Sequence, residues 1–294
     1  MPIRPGRSIP FGQRHETGAR MSEYADWIGR RDCRTDTVSD RLIGQFRATL
    51  PEIVTTDPVP PGLFWALAPD TLPPAQLGRD GHARLGQFLP QLPLTRRMWA
   101  GGEIAFAGAL LPGDVVEKDS RIESITSKAG STGALIFVSV RLTYRVGGVE
   151  MVNERQDLVY RAEPVPGVAA PEYPVAPDLG TPLALQDLMS DPVRLFRFSA
   201  MTFNGHRIHY DVDYARNVEG YAGLVVHGPL QAVAMLNLAA KVLGDCPKVF
   251  SYRGMSPLIC GKAARVEAYS QDKGLTLRVV KPGGAVTMTG QASL

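Results

Sequence analysis

The chain has 294 residues, of which 44% are hydrophobic and 21% are charged, and its formal net charge is +3. These proportions exclude a fully disordered chain, and so small a charge gives no support for nucleic-acid binding. No run of about 18 apolar residues exists, so we expect no membrane-spanning helix. The three widely spaced cysteines, Cys33, Cys246 and Cys260, exclude a disulfide framework and a CxxC zinc site and favour a reducing cytoplasm.

The N-terminal region divides into an unstructured start and two helices. Residues 1–21 are rich in arginine and lack the apolar stretch of a secretory signal, so we predict a disordered segment or an extension, with a transit peptide as a less favoured alternative. Ser22 then opens a pattern typical of a capped helix that reaches Ile28. Apolar residues at helical spacing predict a second helix over Ser39–Leu50.

The pattern changes to antiparallel strands after residue 100, because apolar and polar residues alternate there. The predicted strands are Glu103–Ala109, Val115–Ser124, Ala134–Tyr144 and Val149–Tyr160. Gly147–Gly148 is a good hairpin signal between the last two. We therefore assign 22–163 to an N-terminal domain and the proline-rich residues 164–183 to an extended linker.

Residues 184–294 repeat this plan as a C-terminal domain. A short helix over Leu185–Met189 and a strand over Val193–Ser199 are predicted first. Pro229–Leu243 is apolar on nearly every face, which predicts a buried helix. The strands predicted after it are Val249–Met255, Lys262–Ser270, Leu275–Lys281 and Ala285–Ser293. Each half is thus predicted to be α+β, with an antiparallel sheet wrapped around a helix.

Three of the five histidines, His206, His209 and His227, lie close together in the sequence. Imidazole is the side chain best suited to moving protons near neutral pH, although a hydrogen-bonded turn histidine is the alternative for each one taken singly. Gly228 starts the predicted buried helix, where free backbone N–H groups can hold a developing oxyanion. A base beside an oxyanion hole suits enolate chemistry next to a carbonyl.

Other chemistries have weaker support. No carboxylate motif of the HExxH type accompanies His206 and His209, and no GxSxG elbow marks a serine nucleophile. No glycine-rich nucleotide loop follows a strand. We therefore expect neither a metal nor a redox cofactor.

Residues 196–243 resemble the hydratase motif of the MaoC-like, or R-specific enoyl-CoA hydratase, hot-dog family. The matching residues are Phe198, Ser199, Ala200, Thr202, Ile208, His209, Asp211, Val226, His227 and Gly228. The resemblance implies a double hot-dog fold, in which each sheet wraps around a central helix. It also implies His209 as the catalytic acid/base and the Gly228 N–H as the donor to the thioester oxygen.

Three positions depart from the family motif. The catalytic Asp of the family falls on Asn204, its Asn on His206 and its Pro on Arg207. An amide cannot act as a general base. We therefore expect Asn204 to orient the water and His209 to transfer the proton.

The departing form FNGHRIHYD, residues 203–211, is similar to one branch of the family, and segments 77–106 and 153–161 support that branch. It holds mitochondrial-type 3-hydroxyacyl-thioester dehydratases and bacterial mesaconyl-C4-CoA (3-methylfumaryl-CoA) hydratases. The resemblance covers nearly all of 22–294. It implies a cytoplasmic hydratase for a branched C4-dicarboxylyl-CoA, either mesaconyl-C4-CoA or itaconyl-CoA, that forms citramalyl-CoA in mesaconate or itaconate metabolism.

A substrate with a free carboxylate favours arginine as its partner. Arg207 and Arg253 are the first candidates, followed by the pair Arg96 and Arg97 near Trp99, for which a solvated basic turn is the alternative. The full set of predicted substrate-binding residues is Arg207, Arg253, His206, His227, Arg97 and Trp99.

Three other functions stay open. A fatty acyl dehydratase of the same fold would need a long apolar tunnel and no arginine facing the substrate. A non-catalytic acyl-CoA-binding protein would bind without turnover, and a thioesterase would release free CoA thiol. Two hot-dog domains in one chain predict a pseudo-dimer, so a further homodimer is optional.

Overall fold

The computed structural model describes residues 23–130, 133–163, 173 and 175–294. The predicted N-terminal extension, the start of the first predicted helix and half of the predicted linker lie outside these residues. Ten strands form one antiparallel sheet in the order β1-β3-β4-β5-β2-β7-β10-β9-β8-β6. The strands are β1 Arg31–Thr37, β2 Arg96–Phe106, β3 Val115–Gly130, β4 Gly133–Val146, β5 Val149–Arg161, β6 Ala184–Asp187, β7 Val249–Gly254, β8 Arg265–Gln271, β9 Gly274–Val280 and β10 Val286–Ser293.

The two halves of the chain meet at the centre of the sheet, where β2 pairs with β7. Gly101 faces Arg253 at one end of this pairing and Ala105 faces Val249 at the other. The sheet therefore continues from one predicted domain into the next. The predicted α+β class is confirmed, whereas the division into two domains and a linker stays a prediction.

The described chain contains four α-helices: α1 Asp40–Thr49, α2 Pro192–Met201, α3 Val212–Asn217 and α4 Gly228–Leu243. The predicted buried helix is confirmed as α4, which lies against β8, β9 and β10 and is buried throughout 230–240. The apolar face of α1 joins the same core. The α4 side chain of Asn237 donates to the Pro61 carbonyl oxygen at 2.9 Å, which ties the N-terminal half to this helix.

Two predicted elements of the second half are wrong. Leu185–Met189 is not a helix, because 184–187 form the edge strand β6. Val193–Ser199 is not a strand, because it lies within α2. The Asp191 side chain accepts a hydrogen bond from the Arg194 N–H and so caps this helix.

The first half departs from prediction near its start. Only Ala25–Trp27 of the first predicted helix is helical, as a single 3-10 turn, and the unpredicted strand β1 follows it. Strand β2 begins at Arg96, earlier than predicted, so Arg96, Arg97 and Trp99 lie on a strand and not in a turn. Within the described chain, no helix is both long and apolar enough to cross a membrane.

Candidate active site

A cleft with a volume of about 2060 Å³ opens where the two halves of the sheet meet. The first turn of α4 lies at its wall, and Gly228 and Pro229 both line it. The first N–H groups of a helix have no partner inside the helix and carry the positive end of its dipole. The helix start can therefore stabilise negative charge that develops on a substrate oxygen in the cleft.

Position 228 has room only for glycine. A Cβ built there would lie 2.5 Å from Cε3 of Trp99, which also lines the cleft. The Trp99 ring is held in place because it stacks on Tyr252 with ring centroids 4.2 Å apart. Tyr252 in turn donates its hydroxyl to the buried carboxylate of Glu154. The indole of Trp99 thus fixes the position of the helix start.

The His209 imidazole is held in one tautomer. His209 ends the 3-10 helix Arg207–His209 and is buried against the cleft. Its Nδ1 lies 2.7 Å from the Val225 carbonyl oxygen. A carbonyl only accepts hydrogen bonds, so Nδ1 carries the proton and Nε2 keeps its lone pair. Burial lowers the pKa of His209 to about 4, which makes the ring a neutral base at pH 7.

His227 lies behind His209 and does not line the cleft. The two rings stack with centroids 3.6 Å apart and an interplanar angle of 20°. The Nε2 atom of His227 lies 2.8 Å from the Ser199 hydroxyl, and the ring is fully buried. This geometry suits a residue that positions His209 better than one that contacts substrate.

Asn204 and His206 both line the cleft. The amide oxygen of Asn204 accepts the His206 N–H at 3.0 Å, which leaves its NH₂ group to donate to a ligand. The buried His206 ring lies edge-on to His209, with centroids 5.4 Å apart. Burial, followed by the nearby charge of His82, lowers the pKa of His206, so this ring is also neutral.

The sequence analysis missed a histidine–carboxylate pair from the N-terminal half. The Nδ1 atom of His82 lies 2.8 Å from Oδ2 of Asp80, and the His82 ring packs 4.2 Å from that of His206. His82 lines the same cleft as His209. The sequence signal that could have identified the pair is an acid two residues before a histidine. It lies in the segment 77–106, which already carried the family resemblance.

The four candidate arginines occupy different surroundings. Arg97 lines the cleft, and no carboxylate in the described chain lies within ion-pair distance of it. Arg96 is buried in an ion pair with Glu219 at 2.6 Å. Arg207 pairs with Asp211 at 2.7 Å, outside the cleft. Arg253 is exposed, also outside the cleft lining.

The structure therefore brings one set of predicted residues to the cleft and leaves another away from it. The set at the cleft consists of Asn204, His206, His209, Gly228, Arg97 and Trp99. The residues that do not line the cleft are Arg207, His227 and Arg253.

Comparisons of the chain with known proteins identify its family. Residues 63–260 match the family described as hydroxyacyl-thioester dehydratase type 2. The chain belongs to this family of hydro-lyases. It is also 37% identical over 281 residues to a mesaconyl-C(4)-CoA hydratase from Chloroflexus aurantiacus, which covers 93% of this chain and 98% of the relative.

Solved structures confirm the fold. HtdX of Mycobacterium tuberculosis superposes with a TM-score of 0.65 at 18% identity, over 90% of this chain and all of that one. A second M. tuberculosis protein, described as having a double hotdog fold, gives a TM-score of 0.52 at 13% identity, over 90% of this chain and 95% of that one. The double hot-dog prediction is confirmed, and the enzyme is an acyl-CoA hydratase or dehydratase, as the resemblance implied.

Proposed function

We propose that this enzyme adds water across the double bond of a branched C4-dicarboxylyl-CoA. Mesaconyl-C4-CoA is the first candidate, with itaconyl-CoA as its isomer, and citramalyl-CoA is the product. One observation carries the proposal: a neutral imidazole at His209, the helix start at Gly228 and the unpaired cation of Arg97 line one cleft. The relative named mesaconyl-C(4)-CoA hydratase supports the choice of substrate.

The backbone N–H of Gly228 polarises the thioester. It donates to the carbonyl oxygen, on which negative charge grows when water attacks the β-carbon. The dipole of α4 adds to this effect because Gly228 is its first residue. Since Trp99 packs against Gly228, the donor is held in place before substrate arrives.

His209 takes a proton from the attacking water. Its Nε2 lone pair is available because Nδ1 donates to Val225, and the NH₂ group of Asn204 donates to the water oxygen to orient it. The oxygen then bonds to the β-carbon, and a proton reaches the α-carbon. The reaction needs no external oxidant or reductant, so it is proposed without a redox cofactor, and the proposed residue roles require no metal.

Arg97 binds the free carboxylate of the substrate. In mesaconyl-C4-CoA this carboxylate is attached directly to the β-carbon that water attacks, so its partner must lie beside the acid/base groups. Arg97 satisfies this condition: its charge acts on both His82 and His206, and no carboxylate of the described chain lies within ion-pair distance of it. A guanidinium can grip a carboxylate through two parallel hydrogen bonds.

A second candidate is the dehydration of a longer 3-hydroxyacyl thioester. The cleft is larger than a four-carbon acyl group requires, and apolar side chains line its N-terminal part. They are Leu72, Leu77, Phe88, Leu89, Leu142 and Leu158. A fatty acyl chain would fill this space.

A panel of enoyl-CoA substrates tests the proposal. Purified protein is incubated with mesaconyl-C4-CoA, crotonyl-CoA and a long-chain enoyl-CoA, and loss of the conjugated thioester absorbance is followed. The proposal expects the largest kcat/KM with mesaconyl-C4-CoA. A preference for the long chain would establish the second candidate, saturable binding without turnover a binding protein, and release of CoA thiol a thioesterase.

Two variants test the assigned roles. His209→Ala should lower kcat about 10²–10⁴-fold with every substrate, since it removes a positioned acid/base group. Arg97→Gln should lower kcat/KM about 10–100-fold with mesaconyl-C4-CoA and much less with crotonyl-CoA, because only the first carries the carboxylate. Arg121→Gln, a change at an exposed arginine of β3, is the matched control. The cytoplasmic location and an optional homodimer stay predictions.

A further inference from the structure

Water addition needs two proton transfers, and within the motif His209 is the one residue suited to carry them, so a second acid/base group would have to come from elsewhere in the fold. The first proton leaves the attacking water, and the second arrives at the α-carbon. Asn204 stands where the family motif has its acid, and an amide takes no part in proton transfer at neutral pH. His206 has no carboxylate within hydrogen-bond distance, since Glu219 lies 4.0 Å from its Nε2.

The Asp80–His82 pair has the properties of the missing group. Asp80 accepts from Nδ1 of His82 at 2.8 Å, so the exchangeable position of the ring is Nε2. No residue of the described chain forms a hydrogen bond with that Nε2 atom. Among the imidazoles near the cleft, His82 is the one that forms a hydrogen bond with a carboxylate in the described chain, which stabilises its charged form.

Backbone contacts fix the pair against the segment that carries His209. The Arg207 N–H donates to the Asp80 carbonyl oxygen at 2.9 Å. Gly81 has a φ of +89°, and a Cβ there would lie 1.8 Å from the Gly205 carbonyl oxygen. The loop that holds His82 and the loop that holds His209 therefore touch along their main chains, which sets the distance between the two rings.

We propose that His82, positioned by Asp80, is the acid/base residue that gives the proton to the α-carbon in hydration and removes it in dehydration. This inference rests on the proposed hydratase function. It assigns a role to the N-terminal half, which the hydratase motif does not include.

The step is balanced as follows in the hydration direction. An O–H bond of water breaks, its proton goes to Nε2 of His209, and the oxygen bonds to the β-carbon. The π electrons move towards the thioester oxygen held by Gly228. The N–H bond at Nε2 of His82 then breaks and a C–H bond forms at the α-carbon. Exchange with bulk water removes the proton from His209 and restores the one on His82.

Substrate binding prepares His82 for this role. Burial, and then the charge of Arg97, lower the pKa of His82, and the hydrogen bond to Asp80 opposes them. A substrate carboxylate on Arg97 offsets the arginine charge, so the bound state favours the protonated ring. Binding of a carboxylate substrate therefore raises the pKa of the ring that has to donate the proton.

A metal site is the competing use of these residues. Ligand atoms of Asp80, His82 and His206 lie within 4.8 Å of one another. The guanidinium of Arg97 is close enough to act on both histidines, and its positive charge opposes a cation there. Asp80 and His82 also already satisfy each other.

Proton exchange at the α-carbon separates the two histidines. The saturated analogue methylsuccinyl-C4-CoA has α-hydrogens but no double bond to hydrate, and NMR in D₂O follows their replacement by deuterium. Wild type and His209→Gln should both exchange, whereas His82→Gln should lose exchange and lower kcat of hydration about 10²–10⁴-fold. Asp80→Asn should show a smaller loss that Asp80→Glu partly restores, and the exposed Asp213→Asn is the control.

Each result has a defined meaning. Exchange by folded His82→Gln at the wild-type rate would overturn the inference while leaving the hydratase function intact. A wild type that hydrates no enoyl-CoA would overturn the proposed function itself. Activity lost on treatment with EDTA and restored by Zn²⁺ would assign the pair to a metal and refute the acid/base role. Circular dichroism of each variant identifies those that fail to fold, and Asp80→Asn then provides the test.

Discussion

The contact between Gly228 and Trp99 leads to a quantitative prediction. Gly228→Ala keeps the backbone N–H but places a methyl group 2.5 Å from the indole, about 1 Å closer than carbon atoms normally approach. Trp99 cannot easily yield, because it stacks on Tyr252 and meets Trp65 edge-on at 5.9 Å. Overpacking of this kind costs about 1–3 kcal/mol, so we expect Tm to fall by about 2–10 °C.

The effect on catalysis should exceed the effect on stability. A shift of the helix start by a few tenths of an ångström misaligns the N–H that holds the thioester oxygen, and loss of one such donor lowers kcat about 10²–10³-fold. The assay follows the enoyl-CoA absorbance at saturating substrate, with Tm measured on the same preparation.

Gly44→Ala supplies the control for Gly228→Ala. Gly44 lies inside α1 with nothing within 4 Å of a built Cβ. Its replacement should therefore stabilise the protein by about 0.5–1 kcal/mol and leave kcat unchanged. A Gly228→Ala enzyme with wild-type kcat and Tm would refute both the close packing and the role of the helix start.

Because burial lowers the pKa of His209 to about 4, this base keeps its lone pair down to about pH 5, and kcat/KM for hydration should decline below that pH, as initial rates will show. The unfolded ring has a pKa of about 6.5, so the folded state binds fewer protons and loses stability as pH falls from about 6.5 towards 4. His209→Gln should reduce that loss in urea titrations at pH 7 and 4.5. Gly81→Ala, which forces a clash with a backbone carbonyl, should lower both Tm and activity. Glu154→Ala leaves buried tryptophan and tyrosine donors without an acceptor, and urea unfolding should show a loss of about 2–5 kcal/mol.

The long strands and the buried helix were predictable because burial leaves a periodic pattern. Every face of α4 is apolar, and β4 alternates along its length, so each pattern identified its element. The predictions for residues 184–199 were wrong because the sequence pattern there is weak or misleading. Strand β6 is a short edge strand with little burial, and the alternation of apolar residues and arginine in 193–198 resembles a strand although Asp191 and Pro192 begin a helix there. The capping residue Asp191, followed by Pro192, indicated the helix better than the apolar alternation indicated a strand.

Strand β1 was missed because it is an edge strand of charged and polar residues. Its sequence RDCRTDT contains no large apolar residue, and one face is exposed throughout. Such strands are held by main-chain pairing, here with β3, and their charges discourage pairing with other molecules. A pattern search for apolar alternation cannot detect them.

The candidate site contains residues that lie close together in the sequence and residues that only the fold brings together. His209 and Gly228 were found because they lie in one motif of about thirty residues. His82 was not, because more than a hundred residues separate it from His206, and only the fold brings the rings together. The order of preference among the arginines stays a prediction, but it could not take ion pairs into account: Asp211, four residues after Arg207, pairs with it, whereas Arg97 has no such partner in the described chain.

The main-chain contact between Gly81 and Gly205 couples the loop that holds His82 to the loop that holds His209. Any insertion or deletion in either loop would alter the spacing of the imidazoles, so a change on one side requires a compensating change on the other. A C-terminal fragment would contain the complete hydratase motif and still lack Arg97 and His82. The separate C-terminal half should therefore lack any activity that depends on these two residues.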